Sequence, residues 1–213
     1  MSNEERHPLE QIALAGYKTI RELKKFRLEH GLNVLIGANG SGKTNFIRFF
    51  ELLGHMMDPN KGLQNYVSGR GRADAFLFRG MKVTPEFTAH LKFGLNEYAF
   101  TLRAADDRSL FLAREVAPFQ EPYYGEITND QGSGHLESAL VRKTGLSTSE
   151  KWVVKTIRDW RVLLLEEPLC VLSLNMTIFT QLPRRWCENC HLCSSKYRKQ
   201  QNVPSQLRQG LFR

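Results

Sequence analysis

Val34-Leu35-Ile36-Gly37-Ala38-Asn39-Gly40-Ser41-Gly42-Lys43-Thr44-Asn45-Phe46 is the stretch on which the fold turns. Val34 to Ile36 is a compact apolar run, the signature of a strand buried on both faces. A glycine-rich loop follows. Phe46, Phe49/Phe50 and Leu53 then fall at i, i+3/i+4 and i+7, so a helix lays one face on a sheet. Gly37 to Thr44 matches G-x-x-x-x-G-K-[ST], and the strand before it and the helix after it make the match specific. Each part has a physical task. Glycines let the loop wrap so that successive backbone N–H groups point inward and form an anion nest. The helix start adds roughly half a positive charge. Lys43 offers a point charge to the β- and γ-phosphates of a nucleotide, and Thr44 offers its hydroxyl to Mg²⁺. The expected ligand set for ATP and Mg²⁺ is Gly37, Ala38, Asn39, Gly40, Ser41, Gly42, Lys43, Thr44 and Asn45. The plainer alternative is a glycine-rich turn with no ligand.

Upstream of this stretch, residues 11–19 read as a strand, and Phe26 and Leu28 alternate with Lys25 and Arg27 in a second one. Downstream, residues 58–72 read as loop, with Pro59, Gly62, Gly69 and Gly71. The period then changes to two. Phe87, Ala89, Leu91 and Phe93 alternate with polar residues, Tyr98, Phe100 and Leu102 again fall at every second position, and Leu110 to Val116 make a third strand. Short turns join them into an antiparallel meander. Residues 120–135 read as loop and weak strand. Ser147-x-x-Glu150 is a capping box; it opens a helix whose Val153, Ile157 and Trp160 share a face. The expected class is therefore α/β: a phosphate-loop lobe with an antiparallel meander, then an irregular C-terminal tail.

The chain has 213 residues, 41% hydrophobic and 24% charged, ordinary values that exclude a wholly disordered or collagen-like chain. Apolar runs such as Val162-Leu163-Leu164-Leu165 reach only four residues, far short of the roughly 20 residues that span a bilayer, so no membrane partner is expected. Met1 to Glu10 is polar with no apolar segment of an export signal, which points to the cytoplasm and reduced cysteines. Of the net charge of +8, +5 lies between Arg161 and Arg213, where eight basic residues face three acidic ones. A basic tail favours anionic partners, nucleic acid first.

Tyr17-Lys18-Thr19-Ile20-Arg21-Glu22-Leu23, together with Leu32 to Phe46, resembles the ABC-type ATPase heads of the RecF/SMC group, often labelled AAA-family ATPases. The likeness runs over roughly residues 10–161, and the meander resembles the small antiparallel sheet of that head's first lobe. The resemblance implies two heads sandwiching two ATP molecules, with closure coupled to DNA or to a partner protein such as a nuclease. The implied roles are DNA repair, chromosome maintenance or phage defence. It also implies a Q-loop glutamine, for which Gln120 lies in place; the alternative is a surface glutamine.

The second lobe of such a head carries a signature motif, a Walker B aspartate and a catalytic glutamate. No LSGG-like signature is present in these residues. Leu163-Leu164-Leu165-Glu166-Glu167-Pro168 mimics Walker B, with Glu166 at the Mg²⁺ position and Glu167 as the catalytic carboxylate. The first acid should be aspartate, since a longer one crowds the strict octahedral shell of Mg²⁺. The bland alternative is an apolar edge segment ending at a turn. Cys187, Cys190 and Cys193 with Cys170 have zinc-ligand types but not a paired spacing; c-type haem and iron–sulfur readings lack an export signal and a nearby fourth cysteine. Solvated thiols are the alternative. The expected organisation is thus a lobe at 1–161 and a divergent basic tail at 162–213, in which an altered frame or a deletion has replaced the second lobe. The expected function is ATP binding with weak or no hydrolysis. The rival is a non-hydrolytic nucleotide- or nucleic-acid-binding fragment.

Overall fold

The computed structural model describes residues 9–29, 32–35, 38, 40–60, 62–163 and 170–173, all within one unit, Met1–Met176. Its main sheet is antiparallel throughout. β1 (Gln11–Tyr17) and β2 (Ile20–Arg27) form a hairpin closed at Tyr17 and Ile20. The meander follows as β4 (Glu86–Phe93), β5 (Asn96–Ala104) and β6 (Leu110–Val116), and a small hairpin as β7 (Phe119–Glu121) and β8 (Gly125–Ile127). The strand order is β2-β1-β4-β5-β7-β8, with β6 also on β5. The alternation in the sequence decides which face is buried. Phe87, Leu91, Phe93, Tyr98, Phe100 and Leu102 all turn inward.

The helix after the phosphate loop, α1 (Lys43–Met56), lays Phe46, Ile47, Phe49, Phe50, Leu52, Leu53 and Met56 into that core. Phe49 meets Tyr17 edge-on, ring centroids 5.5 Å apart, and stacks on Phe100 at 6.4 Å. Phe50 meets Trp160 at 5.3 Å. Each buried aromatic of this kind contributes about 1.5–3 kcal/mol, so a helix with this many is firmly seated.

A short helix, α2 (Leu63–Ser68), interrupts the segment 58–72 that reads as loop, and another, α3 (Ala139–Arg142), precedes the capping box. At six and four residues neither offers a period long enough to detect. The capping-box helix is α4 (Thr148–Asp159), with Val153 and Ile157 buried and Trp160 as its C-cap.

β3 (Leu32–Leu35) is the strand that feeds the phosphate loop. The apolar run predicts burial on both faces; its Leu35 is partly buried against the core. Its partner is antiparallel β10 (Cys170–Ser173), which in turn pairs with β9 (Arg161–Leu163). β9 runs across the boundary expected at 161/162, and β10 lies past it. The backbone of β10 pairs with β3 from the far end of the unit's sequence, and β9 joins the sheet through β10, which no local pattern signals.

Candidate functional site

The phosphate loop ends in two left-handed glycines, Gly40 at φ 82° and Gly42 at φ 97°. That region is open to glycine and strained for nearly all other residues. Gly40 is exposed, and a Cβ on it would meet nothing within 4 Å, so its left-handed backbone and not crowding is what favours glycine there. Gly42 is the N-cap of α1 and has no side chain to cap it with, and the first turn, Lys43 to Phe46, contains no acid. The other described helices start differently. The Glu137 carboxylate accepts from Leu63 N (2.6 Å) and Gln64 N (3.1 Å) at the start of α2. Glu115 accepts from Ala139 N (2.8 Å) at the start of α3. Glu150 accepts from Ser147 N (2.7 Å) at the start of α4. At each of these ends an anion of the protein's own meets the positive end of the helix. At α1 glycine and lysine stand there instead.

Lys43 and Thr44 follow one another at this start, both half-buried. The Lys43 ammonium donates to Ala38 O (2.9 Å), and Ser41 N donates to the same carbonyl (3.1 Å). That oxygen is an acceptor that draws a lysine and a backbone N–H at once. A phosphate oxygen offers the same chemistry with full negative charge, and charge-assisted bonds are roughly twice as strong as neutral ones. The residues therefore fit a nucleotide's phosphates, and Thr44 follows Lys43 in the same first turn. Gly37, Asn39, Glu166 and Glu167 lie outside the described residues, as do Cys187, Cys190 and Cys193. No group of three metal-ligating side chains occurs among the described residues. None of their helices is long and apolar enough to cross a membrane.

The structure does not bring Gln120 to the loop. Its amide donates to Glu126 Oε2 (3.0 Å) across the β7–β8 hairpin. β7 joins β5 at Asn96, which pairs with Phe93, and the neighbouring Lys92 pairs with Gln11. The hairpin therefore stands at the Gln11 end of the sheet. The phosphate loop touches the other end, past Tyr17, and β1 alone is about 20 Å long. Register separates Gln120 from the site, and it serves as a paired strand residue.

One contact of the loop is not visible in the motif. Thr19, in the β1–β2 turn, accepts from Asn45 Nδ2 through Oγ1 (2.9 Å). The same Oγ1 would lie 3.2 Å from a Cβ on Gly42. Lys18 beside it takes φ 48° and donates through Nζ to Ala75 O (2.8 Å). Burial lowers the pKa of that ammonium, and Arg48 and Arg70 nearby lower it further. The only sequence signal for this turn is the run Tyr17 to Leu23, which carries part of the family likeness and names no role.

The family model described as "AAA domain, putative AbiEii toxin, Type IV TA system" matches residues 32–149, from β3 through the loop and the meander to the start of α4. The DNA replication and repair protein RecF of Aliivibrio salmonicida (strain LFI1238) is 32% identical over 90 residues, 42% of this chain and 24% of that protein. The matched part thus spans about a quarter of the length of that curated relative.

Proposed function

Because the chain belongs to this AAA-domain family and carries a RecF-like P-loop ATPase head, we propose that residues 37–44 bind MgATP and that the head acts in a DNA-linked process such as repair. The observation that carries the proposal is the start of α1. Two left-handed glycines lead into a helix end with no acid in its first turn, and Lys43 and Thr44 stand side by side there. Binding then exchanges the Ala38 carbonyl for phosphate oxygens at the Lys43 ammonium and the Ser41 N–H. Asn45 and Gly42 hold the first turn while this happens. When bound, Mg²⁺ neutralises charge on the β- and γ-phosphates. Thr44 is the residue whose hydroxyl would hold it.

Turnover needs more than this half. Hydrolysis rests on a positioned water and on stabilisation of charge developing at the γ-phosphate. No signature motif occurs in the 213 residues to complete a partner's site in a nucleotide sandwich. The expected result is tight MgATP binding with hydrolysis near background, measured by titration and by steady-state phosphate release with and without DNA. Family-like turnover that Glu167→Gln abolishes would replace this reading with a working Walker B at Leu163 to Glu167. No MgATP binding by the wild-type chain would overturn the site itself.

A further inference from the structure

We infer that Thr19, which no position of the phosphate-loop motif includes, is the positioning residue that sets the register of that loop against the sheet. The inference rests on the reading of residues 37–44 as an MgATP site. α1 is held to the core by Phe46, Phe49, Phe50 and Leu53. Those contacts fix the helix body, but its first turn, Lys43 to Asn45, is only half-buried. The ligands of a phosphate site sit on this turn, and a polar site loses strength with displacements of about 0.5 Å. Thr19 adds a constraint on the turn from the side of the sheet. Its Oγ1 accepts from Asn45 Nδ2 (2.9 Å) and would lie 3.2 Å from a Cβ on Gly42. Those two residues bracket Lys43 and Thr44. A Cβ at Gly42 would make that contact tight, and φ 97° strains any side chain there.

The turn that carries Thr19 is itself anchored from behind. Lys18 N donates to Phe76 O (2.9 Å), Lys18 Nζ to Ala75 O (2.8 Å), and Phe78 N to Gly16 O (2.8 Å). The Lys18 ammonium also lies 4.5 Å from the centroid of the Phe76 ring. A non-glycine residue at φ 48° persists only where its surroundings hold it. Segment 75–78 thus braces the turn, and the turn braces the phosphate loop. Thr19 is exposed, and among the described residues its side chain bonds the half-buried Asn45 and no core residue, so its effect should fall on the ligand site and not on the fold.

The test uses the full chain, with wild type, Thr19→Val, Thr19→Ser, Asn45→Ala and the Thr19→Val/Asn45→Ala pair, read by MgATP titration and thermal melting. Thr19→Val keeps the shape and loses the acceptor. Affinity should fall about three- to tenfold, as loss of one neutral hydrogen bond predicts. Thr19→Ser should stay within about twofold of wild type. Melting temperatures should stay within about 2 °C, as expected of an exposed site. Since Thr19 acts through Asn45, the double variant should lose no more than the worse single one. Wild-type binding with unchanged affinity in Thr19→Val, or losses that add in the pair, would overturn the inference and leave the MgATP site standing. Absence of binding in wild type would overturn both.

Discussion

Helix α4 closes its own start, whereas α1 hands its start to something outside the helix. At α4 the Ser147 hydroxyl accepts from Glu150 N (3.2 Å) while the Glu150 carboxylate accepts from Ser147 N (2.7 Å). That carboxylate is buried and also takes hydrogen bonds from Gln131 Nε2 (2.5 Å) and Lys143 Nζ (3.3 Å). At α1 the equivalent places hold Gly42 and a first turn of Lys43, Thr44 and Asn45. Both ends carry the same partial charge from the same peptide dipoles. What differs is whether the chain supplies the anion. Where it does, the helix end is structure. Where glycine replaces the cap and lysine replaces the acid, the end suits a ligand's anion, at the cost of the stability that a cap provides.

The two ends should therefore respond oppositely to substitution. The largest effect is expected at α1. Lys43→Ala removes the point charge aimed at the phosphates, and a charged hydrogen bond contributes about 1.5–3 kcal/mol. MgATP affinity should fall about ten- to a hundredfold in a titration, with the melting transition retained. Equal affinity would place the ligand elsewhere and break the comparison. A smaller effect of the other kind is expected at α4. Ser147→Ala removes a cap that contributes about 1 kcal/mol, which lowers the melting temperature by roughly 2–4 °C in a chain of this size and leaves MgATP affinity unchanged. A loss of affinity there would show that the two helix starts are coupled.

The smallest effect sharpens the same contrast through pH. Burial pushes the Glu150 carboxyl up, but the Ser147 backbone N–H, the Ser147 hydroxyl, Gln131 and Lys143 outweigh it and hold the carboxyl below its ordinary range. A carboxyl depressed in the folded state contributes stability above the unfolded glutamate pKa of about 4.3, and loses it as pH falls through the folded value. Melting temperature should thus stay level from neutral pH down to about 5 and decline below that range. Glu150→Gln should start lower and decline less steeply. A parallel decline in both would show that other carboxyls dominate acid unfolding.

The contrast also shows how far a sequence can be read. The capping box at Ser147 and Glu150, the phosphate loop at Gly37 to Thr44, the apolar stripe of α1 and the alternation of β4 to β6 are all local. Each depends on residues a few positions apart, whose spacing is set by the helix or strand period itself. All were legible without a structure. Gln120 was not, because a single glutamine after a strand has no spacing that says which end of the sheet it reaches.

What only tertiary structure decided is which distant groups meet. Glu137 closes the start of α2, Glu115 that of α3, and β10 pairs with β3 from beyond residue 161. Thr19 reaches Asn45 across the gap between a hairpin turn and a helix. Such contacts follow from how a twisted sheet and a packed helix bring chain ends together, and no periodicity records them. The sequence by itself determined that this chain carries a phosphate loop on an α/β lobe, because glycine conformations, a helix dipole and a lysine are properties of adjacent residues. The fold determined what holds that loop in place, because rigidity at a helix start comes from neighbours that only folding brings near.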